Sequence, residues 1–121
     1  MKVFKYGGAS VKDAEGVKNL AEILTKYKED NPLVVISAMG KTTNALEEVA
    51  RAFYLNQDDA LEKLNYVKQF HDHILTELFD KRHSIYDAVS NLFLEIEWAI
   101  EDPPRPNYSY EYDQIVSVGE L

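Results

Sequence analysis

The residues of this 121-residue chain that are best suited to chemistry lie in two short turns. The first turn, Gly7-Gly8-Ala9-Ser10, follows the strand-like run 2–6 and precedes a helical pattern. Glycine lets ligand atoms approach the backbone, and free N–H groups near a helix N-terminus form an anion-binding concavity. Lys5 would add a mobile ammonium charge. The pattern predicts a phosphate site, although a tight turn with an incidental lysine explains the same residues without function.

A second turn, residues 37–44, follows the apolar run 33–37. Its Gly40-Lys41-Thr42 is similar to the end of a Walker A loop, but that motif needs glycine where this chain has Val35. What remains is a small, hydroxyl-rich turn after a strand. Because ligands of open parallel sheets bind beyond the carboxyl ends of the strands, we expect both turns to face one crevice.

Hydrophobic periodicity predicts the elements that must position these turns. Residues 2–6 and 33–37 are typical of strands, and apolar residues at helical spacing between them complete a right-handed βαβ unit with parallel strands. The second strand is almost wholly apolar, which predicts a buried strand. Helices are predicted at 44–55, 58–79 and 84–101, then a proline-rich loop, then a helix that begins near a cap at Asp113.

Composition restricts the class of protein. The chain has 13 Lys+Arg and 21 Asp+Glu, a net charge of −8, which argues against nucleic acid as a partner. There is no cysteine, as is common in a reducing compartment, so the predicted location is cytoplasmic. No apolar stretch has the roughly 20 residues of a membrane span, and the N-terminus does not resemble a signal peptide, so no membrane partner is expected.

The histidines and acidic pairs are not predicted to carry chemistry. His71 and His73 are two residues apart on a predicted helix and therefore point to different faces, so we expect solvent-facing side chains and no metal site. Glu47-Glu48 and Asp58-Asp59 are interpreted as solvated helix faces or caps.

Three blocks of the sequence resemble aspartate kinases. VFKYGGASV is similar to the family's K-F-G-G-T-S-V opening, VVISAMGKTTNAL to its V-V-S-A-x-x-x-x-T-N-x-L segment, and DQIVSVGEL to its D-x-[IL]-V-S-x-G-E-x segment. They occur in the family's order. The resemblance implies an α/β fold: a partial three-layer α/β/α sandwich with parallel strands, the amino-acid kinase fold, with a helical insert.

The resemblance also implies an activity, transfer of the γ-phosphoryl group of ATP to the β-carboxylate of L-aspartate, with Mg²⁺ bridging phosphate oxygens. Its implied site residues fall into two sets. Lys5, Gly7, Gly8 and Ser10 stand where the family binds ATP phosphates, with Lys5 as the catalytic charge. Ser37, Thr43 and Glu120 stand where it contacts aspartate, with Glu120 accepting from the α-ammonium group.

We interpret residues 1–121 as the N-terminal portion of a longer kinase domain: a βαβ phosphate-loop unit (1–43), a helical segment (44–101), and a loop with the start of the substrate-site helix (102–121). The fragment alone should be inactive, and its sheet should show an open edge or an apolar face.

Ala9 and Tyr6 replace the family's usual threonine and phenylalanine. Another amino-acid kinase-fold phosphotransferase and a non-catalytic ligand-binding domain are the alternatives. A homo-oligomeric parent, its feedback effector and a fused homoserine dehydrogenase are left open.

Overall fold

Two strands and five helices follow one another in a computed structural model that describes all 121 residues. The chain divides into two units, Met1–Lys41 and Thr42–Leu121. Short 3-10 turns lie at Lys28–Asp30 and Ser117–Glu120. The seven main elements are β1 (Val3–Tyr6), α1 (Ala14–Lys26), β2 (Leu33–Ile36), α2 (Thr42–Tyr54), α3 (Ala60–Leu78), α4 (Ile85–Ala99) and α5 (Tyr108–Val116). The α/β class expected from the sequence is confirmed.

In the first unit, β1 and β2 form a two-stranded parallel sheet in which Val3 pairs with Leu33 and Lys5 with Val35. One face of this sheet is contacted by the segment after α1, where the centroid of the Tyr27 ring lies 5.2 Å from that of the Phe4 ring. Side chains alternate between the two faces of a sheet, so the face opposite Phe4 is formed by Val3, Lys5, Leu33 and Val35. All four are exposed.

The prediction that β2 is a buried strand is therefore wrong for this chain. Leu33, Val35 and Ile36 are 54%, 46% and 52% exposed. An apolar run indicates that a strand can be buried on both faces. Whether it is buried depends on further strands and helices that cover the sheet. The open apolar face agrees with the expectation of an uncovered sheet.

The start of helix α1 and the end of the turn that follows it are each set by one polar residue. Asp13 is its N-cap, and the Asp13 carboxylate accepts a hydrogen bond from the Gly16 N–H at 2.8 Å. The 3-10 turn that follows ends at Asn31, whose φ of 47° is in the left-handed region that asparagine tolerates. Pro32 then leads into β2.

The second unit consists of helices packed around its own apolar core. Helix α2 contributes one full face to the core and packs against α3 and α5, and α4 packs against α3 and α5. Polar contacts join the same helices: Lys68 of α3 pairs with Glu97 of α4 at 2.6 Å, and the Tyr112 hydroxyl donates to Glu47 at 2.7 Å. The core residues are Leu46, Val49, Ala50, Ala52, Phe53, Ala60, Leu64, Val67, Phe93, Ile96, Ile115 and Val116.

The prediction for the last helix is wrong about its start. Helix α5 begins at Tyr108, and Asn107, not Asp113, is the N-cap, with its side chain accepting from the Tyr110 N–H at 3.3 Å. Asp113 lies inside the helix, where its carbonyl accepts from the Ser117 hydroxyl. Glu120 consequently lies in the 3-10 turn after α5 and not in a new helix. No helix of either unit combines the length and apolarity that crossing a membrane needs.

Candidate functional site

The turn after β1 is closed by a hydrogen bond from the Ser10 N–H to the Gly7 carbonyl, at 3.0 Å. The N–H groups of Gly8 and Ala9 donate to no atom of the chain. Two successive unpaired amides in a tight turn are the donors that a phosphate oxygen needs. The predicted phosphate role of this turn is compatible with its geometry.

The N-terminus of α1 differs from the expected anion site. The Asp13 carboxylate already accepts from the Gly16 N–H in the first turn of the helix, and it places a negative charge there. A Cβ on Gly16 would also lie 2.6 Å from the Ser10 carbonyl oxygen, so the turn packs closely against the start of the helix. The unpaired donors are therefore those of the turn itself, at Gly8 and Ala9.

The turns after β1 and β2 contact each other at two glycines. The Gly40 N–H donates to the Gly8 carbonyl at 3.0 Å. A Cβ on Gly8 would lie 2.5 Å from the Gly40 oxygen and 3.1 Å from the Ala38 oxygen, both backbone atoms. Gly40 itself has a φ of 58°, which favours glycine. The two turns therefore lie together beyond the carboxyl ends of the strands, and that they face one crevice stays a prediction.

Lys5 and Ser37 lie on the strands that lead into these turns. Lys5 is the third residue of β1, on the open face of the sheet, and its ammonium group makes no ion pair or hydrogen bond. Ser37 directly follows β2, where its N–H donates to the Tyr6 carbonyl at 2.9 Å and its hydroxyl has no partner. Both polar groups are available to a ligand.

In the helical unit, the structure brings Thr43 and Glu120 together. The Thr43 hydroxyl donates to the Glu120 carboxylate at 3.4 Å, although 77 residues separate them in the sequence. Thr43 lies in the first turn of α2, and Glu120 is exposed in the 3-10 turn after α5. These residues come from two different sequence blocks, so their contact is produced by the fold.

Gly119 has a packing role that the sequence did not predict. A Cβ at this position would lie 2.7 Å from Cδ1 of Leu46 and 3.5 Å from Cγ2 of Thr42. Leu46 is 1% exposed and has little room to move. The absent side chain therefore lets the 3-10 turn lie directly on α2, which holds Glu120 beside Thr43.

His71 is not solvent-facing, contrary to the sequence prediction, whereas His73 is exposed and pairs with Glu77 at 3.1 Å. The His71 Nδ1 lies 2.9 Å from the Val67 carbonyl, and its Nε2 lies 3.5 Å from the Thr42 hydroxyl. Burial lowers the pKa of His71 below the ordinary 6.5 because the charged form is desolvated. Spacing within a helix separates two faces but does not say which one is buried.

Comparison with known proteins gives these groups a context. The model of the amino acid kinase family matches residues 1–121. This chain belongs to the amino acid kinase family. Among its relatives, aspartokinase 1 of Arabidopsis thaliana, described as chloroplastic, is 38% identical over 79 residues, which are 63% of this chain and 14% of that protein. An aspartokinase of Mycolicibacterium smegmatis is 49% identical over 51 residues, covering 40% of this chain and 12% of that protein.

Solved structures of this family give the same result. Escherichia coli aspartokinase III in complex with aspartate and ADP matches with a TM-score of 0.80 and 28% identity, over 99% of this chain and 26% of that one. The complex of that enzyme with lysine and aspartate matches with a TM-score of 0.78 and 27% identity, over 98% and 26%. The amino-acid kinase fold and the resemblance to the N-terminal part of aspartate kinases are confirmed, and the chain spans about a quarter of these structures.

Proposed function

We propose that this chain forms the N-terminal part of an aspartate kinase, which transfers the γ-phosphoryl group of ATP to the β-carboxylate of L-aspartate. The observation that carries this proposal is the contact between Thr43 and Glu120. Each residue comes from a block that resembles the aspartate-contacting segments of the family. The fold brings these two residues into contact although 77 residues separate them, which supports the proposal that they bind the same ligand.

On the nucleotide side, the β1 turn would bind ATP phosphates through the unpaired amides of Gly8 and Ala9 and the hydroxyl of Ser10. Gly7 is open to ligand approach, since a Cβ there would meet nothing within 4 Å. Lys5 would stabilise the negative charge of the phosphoryl group during transfer. This role is electrostatic and does not require a covalent bond between Lys5 and the substrate.

On the acceptor side, Glu120 would accept hydrogen bonds from the α-ammonium group of aspartate, and the hydroxyls of Ser37 and Thr43 would donate to a carboxylate. The bond that the Thr43 hydroxyl donates to this carboxylate is long, at 3.4 Å. Exchange of that bond for substrate contacts would cost little, because Glu120 is exposed.

Mg²⁺ belongs to the proposal only as a partner of the phosphates. No three His, Asp or Glu side chains of this chain lie together in a way that could hold a metal ion. Asp13, the carboxylate closest in sequence to the turn, is engaged with Gly16. The proposal therefore names no residue of this chain as a magnesium ligand.

The activity of the isolated chain, its place in a longer domain, its location and its oligomeric state are proposals, because the chain spans 14% of the Arabidopsis relative and 26% of the E. coli one. We propose that residues 1–121 alone are inactive, that they are one portion of a longer kinase domain, and that the site residues named above act there. A cytoplasmic location rests on the absence of cysteine. A homo-oligomeric parent stays a prediction.

A chimera tests the proposal, with residues 1–121 replacing the matching segment of E. coli aspartokinase III. We expect ATP-dependent phosphorylation of aspartate, detected as the hydroxamate that an acyl phosphate forms with hydroxylamine. Glu120→Gln should lower kcat/KM for aspartate by roughly 30-fold, because the α-ammonium group would lose a charged hydrogen-bond partner, which contributes on the order of 2 kcal/mol. The KM for ATP should change little.

The matched control is Glu62→Gln, at an exposed position on α3. It should leave both KM values unchanged. A folded chimera, with the circular dichroism and cooperative melting of the parent enzyme, that phosphorylates no aspartate would refute the proposed activity. Equal effects of Glu120→Gln on aspartate and ATP would refute the placement of the aspartate site.

A further inference from the structure

A cavity of about 610 Å³ lies within the helical unit, at the C-terminal end of α2. Thr43 lies at the other end of that helix, so the cavity is distinct from the proposed aspartate contacts. Its walls come from the segment after α2, the start of α3, the end of α4 and the segment that follows α4, which includes Pro103 and Pro104. Cavities of this size are typical of small-molecule sites.

The apolar part of the cavity includes the indole of Trp98, which is not part of the hydrophobic core. Trp98, the single tryptophan of the chain, is 64% exposed, and Leu61 is 53% exposed. Phe53 and Ile100 also line the cavity. Exposed apolar side chains that surround a concavity form a surface on which a hydrocarbon chain would be removed from water.

The polar part of the cavity has a single sign of charge. Asp58, Glu101 and Asp102 line it, and their carboxylates make no ion pair or hydrogen bond within the chain. The fourth carboxylate, Glu97, pairs with Lys68 at 2.6 Å. No lysine, arginine or histidine is among the lining residues. An anion would be repelled by this lining, and a cation would find unpaired carboxylates in a cavity that an exposed indole also lines.

We propose that this cavity binds a small organic cation, an alkylammonium ion whose hydrocarbon part lies against Trp98 and Leu61 and whose ammonium group faces the carboxylates of Glu101 and Asp102. Three properties of this open cavity support the occupant together: its volume, its exposed apolar lining and its complementary charge. The inference does not depend on phosphoryl transfer, because none of its residues is among those proposed for ATP or aspartate.

Trp98 fluorescence provides a direct test on the full 121-residue chain, because every tryptophan signal reports from the cavity. Three probes of similar chain length separate charge from apolarity: hexylammonium, hexanol and hexanoate. We expect a saturable change with hexylammonium, binding at least tenfold weaker with hexanol, and no binding with hexanoate. Added salt should weaken hexylammonium binding. An equal response to hexanol would show an apolar pocket without cation selectivity and would overturn the proposal, as would no saturable response to hexylammonium.

Charge-neutralising variants locate the ammonium group. The double variant Glu101→Gln/Asp102→Asn should weaken hexylammonium binding by about three- to tenfold and leave hexanol binding unchanged. The control is Asp87→Asn/Glu95→Gln, which removes the same two charges from exposed positions of α4 outside the cavity. Equal weakening by both double variants would show that only net charge matters, and the specific site would be refuted.

Discussion

The two units of the chain differ in how well each buries its own apolar residues. In Met1–Lys41, Val11, Ala14 and Leu20 are the only buried hydrophobic residues, and the sheet leaves four large apolar side chains about half exposed. In Thr42–Leu121, the core cluster includes residues from α2, α3, α4 and α5. All residues proposed to bind the phosphates thus lie in the poorly buried unit, while the stability of the chain should come mainly from the other unit.

The largest expected effect is a core truncation in the helical unit. Leu64→Ala removes a side chain that is 0% exposed and should lower the free energy of unfolding by about 2–5 kcal/mol. Leu33→Ala is the matched change in the sheet, where the side chain is 54% exposed, and should cost about 0.5 kcal/mol or less. Urea unfolding of the 121-residue chain followed by circular dichroism measures both. Equal losses would show that the sheet is as well packed as the helices.

A smaller effect is expected at the contact between the two turns of the first unit. Gly8→Ala places a methyl group 2.5 Å from the Gly40 carbonyl oxygen, so the turns must separate at a cost of about 1–3 kcal/mol. Hydrogen exchange should show faster exchange of the Gly40 amide, whose bond to Gly8 would be lost.

Gly7→Ala is the matched control, because its Cβ would meet nothing within 4 Å. This variant should leave the exchange of the Gly40 amide unchanged. If both alanine variants behave alike, the close contact between the turns does not hold the phosphate turn in place.

The charge of Lys5 should matter for turnover and not for stability, because its side chain is exposed and unpaired. In the chimera with E. coli aspartokinase III, Lys5→Ala should reduce kcat more than tenfold, which corresponds to about 1.4 kcal/mol of lost transition-state stabilisation. Lys5→Arg should restore activity only in part, because a planar guanidinium does not reproduce a point charge. A near-normal kcat for Lys5→Ala would show that the open sheet face carries no catalytic charge.

Local sequence patterns predicted most of this fold because strands, helices and caps depend on neighbouring residues. The predicted helix at 58–79 corresponds to α3, Ala60–Leu78, and the predicted strand 33–37 corresponds to β2. Burial of β2 was not predictable, since it depends on which other elements cover the sheet. The start of α5 was missed because its first residues lack an apolar stripe, and the cap at Asn107 is hidden in a proline-rich loop.

The site was predictable in its residue types and less so in its contacts. Glycine pairs after strands indicate phosphate turns, but only the fold shows that Gly8 must lack a side chain because of Gly40. In the same way, only the fold shows that Gly119 makes room for Leu46. Long-range packing of this kind leaves no periodic signal in the sequence.

The smallest expected effect is a pH dependence confined to the helical unit. His71 contacts Thr42 of α2, Val67 and Phe70 of α3, and Phe93 of α4, and Asp72 is the charged group that acts on it. Burial lowers its pKa in the folded state below the ordinary 6.5. Well above pH 6.5 the imidazole is neutral in both states and does not alter stability.

As pH falls below 6.5, the unfolded chain takes up a proton at His71 before the folded chain does. The free energy of unfolding should therefore decrease between 6.5 and the lower folded pKa, and this contribution should level off below it. Urea unfolding on both sides of pH 6.5 measures the slope, and His71→Gln should reduce it because the amide does not titrate. His73→Gln, at an exposed position that pairs with Glu77, is the control and should leave the slope close to that of the parent chain. An unchanged slope in His71→Gln would show that the acid sensitivity of the helical unit comes from other groups, and that this half-buried imidazole is as well solvated as its exposed neighbour.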